Sequence, residues 1–166
     1  MKKLFLVLLA IAALFSFSCK SSPATANPNI EGEVTQAKVN DALTLIYDTY
    51  RTRLDMTGAQ DYTVERGDTL SQITRKYYGG LTGVGDAGPS NGFYFPVIMM
   101  ASDSNIVDPD LIEPGMKLKV VDLQKNLDNP VSRKAIKDCL VDVAYVYNKK
   151  GVPASEDGLK KLAASL

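Results

Sequence analysis

Tyr62-Thr63-Val64-Glu65-Arg66-Gly67-Asp68-Thr69-Leu70-Ser71-Gln72-Ile73-Thr74-Arg75-Lys76-Tyr77-Tyr78-Gly79 is the stretch on which the reading of this chain turns. Tyr62-Thr63-Val64 is a short β-prone run. Gly67-Asp68 turns the chain. Asp68 or Thr69 then caps a helix running through Tyr77, with Leu70, Ile73 and Tyr77 on one face at helical steps. Residues 79–92 follow, and six glycines in that span argue against any regular element. A second helix fits Phe95 to Ser102, with Pro96 in the first turn, where a missing N–H is tolerated. Pro109 and Pro114-Gly115 mark turns, and Met116 to Val121 alternates as a strand does. The order over 61–121 is β-α-α-β, which suits a two-stranded antiparallel sheet covered by two helices.

Outward from this unit the chain is helical. Residues 33–58 read as an N-terminal flanking helix. Val34, Ala37, Leu45, Tyr47 and Leu54, with Ala42, Leu43, Ile46 and Tyr50, recur at steps of three and four, and Gly58 terminates the run. Residues 129–166 read as a C-terminal helical region. Asn129 is a natural N-cap and Pro130 suits the first helical position. Val131, Ala135, Ile136, Cys139, Leu140, Val143, Ala144 and Tyr147 then form a broad apolar stripe. Lys149-Lys150-Gly151 closes that helix, and Ser155-Glu156-Asp157 opens a last one bearing Leu159, Leu162, Ala163 and Leu166. The two flanks are expected to bury their stripes on each other and on the central unit. The fold class is α+β, a βααβ core flanked by additional α-helices.

Composition narrows the function. The chain has 166 residues, with 19 Lys+Arg against 19 Asp+Glu, no His and two Cys. Zero net charge argues against nucleic acid, whose phosphates select a basic excess. Without His, Ser-His-Asp and Cys-His catalysis are excluded, as are His-ligated metal sites. Two Cys are too few for a thiolate zinc site. No cofactor or metal is expected. Cys139 falls in the apolar stripe and reads as a small buried hydrophobe, with a reactive thiol as the alternative.

The N-terminus is an address. Met1-Lys2-Lys3 is a short basic start, and Leu4 to Phe17 is apolar except for Ser16. The run has the length of a signal-peptide core and is short for a membrane span. It ends at Cys19, followed by Lys20-Ser21-Ser22-Pro23. This resembles a bacterial lipoprotein signal, in which residues 1–18 are removed and Cys19 carries the acyl chains. The resemblance implies a membrane lipid anchor and a place in the cell envelope, facing the periplasm or the cell surface. Ordinary secretion with cleavage after Ala24-Thr25-Ala26 is the alternative. Residues 19–32, rich in Pro, Ser and Asn, read as a tether.

The central segment resembles a LysM domain, whose opening pattern Tyr-x-Val-x-x-Gly-Asp-Thr-Leu-x-x-Ile-x-x-x-Tyr-Tyr-Gly is met at every position from Tyr62 to Gly79. Asp108-Pro109-Asp110-Leu111-Ile112-Glu113-Pro114-Gly115-Met116-Lys117-Leu118 matches the second half. The resemblance implies a module that binds peptidoglycan or N-acetylglucosamine oligomers without catalysis. It places the sugar between Gly67, Asp68, Thr69 and Leu70 on one loop and Asp108, Pro109, Asp110, Leu111 and Ile112 on the other. Each position also has a plain structural reading. Asp68 and Thr69 suit a helix cap, Leu70 the core, and Asp108 and Asp110 suit capping or turn stabilisation ahead of a cation site. Phe93-Tyr94-Phe95 reads as a core anchor ahead of a sugar platform. Two other functions were weighed. One is a scaffold whose flanking helices and Gly-rich 79–92 loop bind another envelope protein, since a fold does not dictate a function. The other is a wall hydrolase, for which the sequence offers no catalytic segment.

Overall fold

The computed structural model describes residues 25–79, 91–102 and 106–166. The expected signal segment, Cys19 with its acyl anchor, residues 20–24 of the tether and all but the ends of the 79–92 loop lie outside the described residues.

Two strands, β1 (Gln60–Thr63) and β2 (Lys117–Val120), pair antiparallel, with Gln60 opposite Val120 and Thr63 opposite Lys117. The pairing runs one step further through the Val64 N–H to the Met116 carbonyl, at 2.9 Å. Two four-residue turns sit side by side at this end. Asp68 N–H donates to the Glu65 carbonyl, and Met116 N–H donates to that of Glu113. Gly67 and Gly115 occupy the third position of these turns with φ 94°. That left-handed conformation defines a type II turn and favours glycine, with Pro114 supplying the fixed φ before Gly115. The Gly115 N–H reaches the Val64 carbonyl at 2.8 Å and ties the two turns together.

Helix α1 spans Gln36–Arg51, α2 Leu70–Tyr78, α3 Phe95–Ala101, α4 Leu123–Asp128, α5 Pro130–Lys149 and α6 Pro153–Ser165, and a 3-10 turn, Asn91–Tyr94, leads into α3. The chain therefore has the α+β class and the βααβ core with added helices. All seven residues of α3 are buried. A helix apolar on every side must be covered on every side. The sheet and α2 cover one side of α3, and α1 and α5 cover the other. The flanks thus bury their stripes on each other and on the central unit, and one continuous hydrophobic core results.

Four features depart from the sequence reading. Helix α1 is shorter than 33–58 because the Thr35 hydroxyl caps it and Thr52 ends it, which leaves Val34 outside and exposed. Leu45 lies on its solvent face, away from the buried line of Val39, Ala42, Leu43, Ile46, Tyr47 and Tyr50. Helix α4 was not expected; it has six residues, too few to show a period. It is held by Asp122 as N-cap and by the buried Asn126, whose amide oxygen accepts from the Asp55 N–H and whose amide nitrogen donates to the Asp55 and Asp122 carbonyls. Finally, the segment 25–32, read as a tether, is anchored at two points, while its other residues stay exposed or half-buried. Ile30 is 2% exposed and Ala26 is buried. The Ala26 N–H donates to the Tyr50 hydroxyl, which in turn donates to Asp142, and the Ile30 N–H reaches the Tyr145 hydroxyl.

Candidate functional site

The loop after β1 is braced by Asp68. Its carboxylate accepts from the Tyr62 hydroxyl at 2.7 Å and from the Glu65 N–H at 2.8 Å. The backbone bond from Glu65, then the Tyr62 hydroxyl, hold the carboxyl below its usual range. Tyr62 is pushed up to about 12 in return. Asp68 is thus an ionised acceptor that braces its own loop. Capping falls to Thr69 alone. The Thr69 hydroxyl accepts from the Gln72 N–H and the Gln72 side chain accepts from the Thr69 N–H, a capping box at the start of α2. Leu70 is buried directly behind it.

The loop before β2 is organised around Asp108, which is 4% exposed. One carboxylate oxygen accepts from the Asp110 N–H and the other from the Gln36 amide of α1. The ammonium of Lys150, at the end of α5, lies 3.0 Å from Asp108 and 2.6 Å from Asp110. Burial pushes the Asp108 carboxyl up, but the Asp110 N–H, the Gln36 amide and Lys150 outweigh it and hold it below the usual carboxylate range. Burial likewise pulls Lys150 down, and its two carboxylate partners reverse that. The Tyr147 hydroxyl donates to the other oxygen of Asp110 at 2.8 Å. An ammonium therefore occupies the place between Asp108 and Asp110 that a cation would need. No cluster of metal-ligating side chains occurs among the described residues.

The two loops meet across a cleft of about 240 Å³. Asp68, Thr69, Leu70 and Ser71 line it from one side, and Pro109, Asp110 and Ile112 from the other. Phe93, Phe95 and Tyr147 add aromatic surface, and Ser155 at the start of α6 completes the lining. Phe95 and Tyr147 meet edge to face with ring centroids 5.8 Å apart, so the aromatic surface is fixed. Tyr94 points into the core and is fully buried.

The structure thus gathers most of the residues that the sequence named and separates three of them. Gly67 lies outside the cleft lining, where its role is the φ of the turn, and a Cβ there would meet nothing within 4 Å. Asp108 lies behind the cleft, committed to the ion pair. Leu111 is 56% exposed and lies outside the lining. Ser71, Tyr147 and Ser155 were not singled out as site residues. Tyr147 reads as one more apolar position of a helix and Ser155 as a helix-opening serine, and neither carries a local signal of what lies across from it. A second cleft, of about 270 Å³, opens at the other end of the sheet between Gln60, Tyr77 and Asp122 and contains none of the motif loops.

A shallow cleft with carboxylate and hydroxyl groups along an aromatic surface is suited to a polar, ring-shaped ligand. Residues 62–121 match the family model of the LysM domain. This segment is a LysM domain, a non-catalytic binding module for peptidoglycan- and chitin-type glycans. No curated protein and no solved structure matches the chain.

Proposed function

We propose that the protein is a cell-envelope lipoprotein that holds peptidoglycan, through its N-acetylglucosamine units, in the cleft between residues 68–71 and 109–112. The observation that carries this reading is the meeting of the two LysM loops over the Phe93, Phe95 and Tyr147 rings. The half-buried Phe93 offers apolar contact to a sugar face and to an acetamido methyl, with the buried Phe95 and Tyr147 at the base of the cleft. Asp68 and Asp110 offer carboxylate acceptors to sugar hydroxyls. No group in this arrangement needs to change protonation for binding, so the whole protein acts as a binder and not as an enzyme. Cys19 would carry the anchor. Among the described residues no helix is long and apolar enough to cross a membrane; in this reading acylation of Cys19 supplies the membrane attachment. Two acyl chains on one cysteine hold stably, where a single chain is marginal. One module per chain binds weakly, and many anchored copies on one wall would supply avidity.

The test is a titration of the isotope-labelled full-length protein with the N-acetylglucosamine tetramer and with muropeptides, followed by amide NMR. Saturable shifts at residues 68–71 and 110–112 are expected. A folded spectrum with no shift at millimolar ligand would remove the glycan reading and favour an envelope-protein partner for the flanking helices. For the anchor, Cys19→Ser is expected to abolish incorporation of labelled fatty acid and release the protein from the membrane fraction.

A further inference from the structure

The glycan cleft has walls that lie outside the LysM segment. Tyr147 belongs to α5 and Ser155 to α6, and both line the cleft with the two motif loops. The Tyr147 hydroxyl and the Lys150 ammonium both bind the Asp110 carboxylate, so α5 sets where the 109–112 wall stands. Helix α6 sets the position of another wall. A Cβ built on Gly158 would lie 2.1 Å from the Phe93 ring, so α6 sits flat on Phe93 and only a glycine permits that approach. The Ser155 hydroxyl has no hydrogen-bond partner among the described residues and is free to serve a ligand as donor or acceptor. At about 240 Å³ the cleft is smaller than the roughly 300–1,000 Å³ that surrounds a drug-sized ligand, which suits one sugar residue. A ring that touches both motif loops in so small a space also reaches the far walls.

We infer that the C-terminal helices form part of the glycan site, with Ser155 as a contact to the bound N-acetylhexosamine and Tyr147 and Lys150 as positioning residues acting through Asp110. This rests on the glycan reading above. The recognition unit is then the LysM segment together with α5 and α6, and the helices determine which sugar substituents fit beside Ser155.

The experiment uses the full-length protein and the N-acetylglucosamine tetramer. In the wild type, amide shifts at residues 154–156 are expected to saturate with the same Kd as those at 68–71. Ser155→Trp fills the far wall and is expected to weaken binding by about tenfold or more, with an unchanged unfolding midpoint. Tyr147→Phe keeps the ring and removes the bond to Asp110; it is expected to weaken binding while leaving the Ser155 shifts in place. Wild-type binding with shifts confined to the motif loops would overturn the inference and leave the glycan reading standing. So would undiminished binding by a folded Ser155→Trp protein. If Ser155→Trp fails to fold, the wild-type shifts at 154–156 alone decide. Absence of any binding by the wild type would overturn the glycan reading itself, and the inference with it.

Discussion

Helices α2 and α3 occupy equivalent places in the βααβ core, yet their surroundings differ. Helix α2 buries Leu70, Ile73, Thr74 and Tyr78 and turns Arg75 and Lys76 to solvent. Helix α3 turns nothing to solvent, because α1 and α5 cover the side that the sheet leaves open. The first is an amphipathic surface helix. The second is the centre of a larger core to which the flanking helices contribute as much as the LysM segment does. This module is built into its flanks, and its cleft inherits their geometry.

The largest effect is expected inside α3. Ile98→Ala removes fully buried methylenes at the junction of sheet and flanks, and is expected to cost about 3 kcal/mol in urea unfolding. A cost under about 1 kcal/mol would mean that the flanks do not close over α3 as described.

The next largest effect is at the link between α5 and the 109–112 loop. Lys150→Met leaves the buried Asp108 carboxylate without its ammonium and is expected to cost about 1–3 kcal/mol. Acid titration sharpens this. The folded-state pKa of Asp108 is lowered, so its contribution is present above the ordinary carboxylate value of about 3.9 and is lost as pH falls through the folded value. Stability should therefore fall with acid below about pH 4, and less steeply in Lys150→Met, where the carboxyl returns toward its ordinary range. Parallel acid profiles for the two proteins would show that the pair does not stabilise the fold.

On the α2 side the effects shrink. Thr69→Ala breaks the capping box and is expected to cost about 1 kcal/mol. Asp68→Asn, by contrast, should weaken the loop bonds to Tyr62 and the Glu65 N–H yet leave the α2 cap intact, with unchanged hydrogen exchange at the Gln72 amide; faster exchange there would show a shared cap. Smallest of all is Lys76→Ala. The ammonium sits 5.0 Å from the Tyr62 ring centroid at the surface, and its removal is expected to change stability by about 0.5 kcal/mol or less.

Much of the core was legible in the sequence because its signals are local. Asp68 and Thr69 announce a helix start, both being residues that cap helices. Pro114-Gly115 announces a turn by the φ values the two residues prefer. Met116 to Val121 announces a strand by alternation. Helix α4 was illegible because a six-residue helix shows no period and is held by Asn126, whose partners at Asp55 lie 71 residues away. Leu45 was misplaced because an apolar residue satisfies a periodic template even when it faces water, which folded surfaces tolerate singly.

The order β-α-α-β, the two turns and the LysM pattern of residues 62–121 are written in the amino acids, since each rests on residues close in the chain or on fixed spacing. The packing of whole helices turned Asp108 inward to Lys150, 42 residues away, while Asp110, bound by the same ammonium, borders the cleft. It also decided that Tyr147 and Ser155 stand beside the LysM loops, and that Ala26 and Ile30 pack onto the helices. These pairings join residues far apart in the chain, whose meeting depends on how whole helices stack, and helix stacking leaves no short-range mark on the amino acids that it brings together.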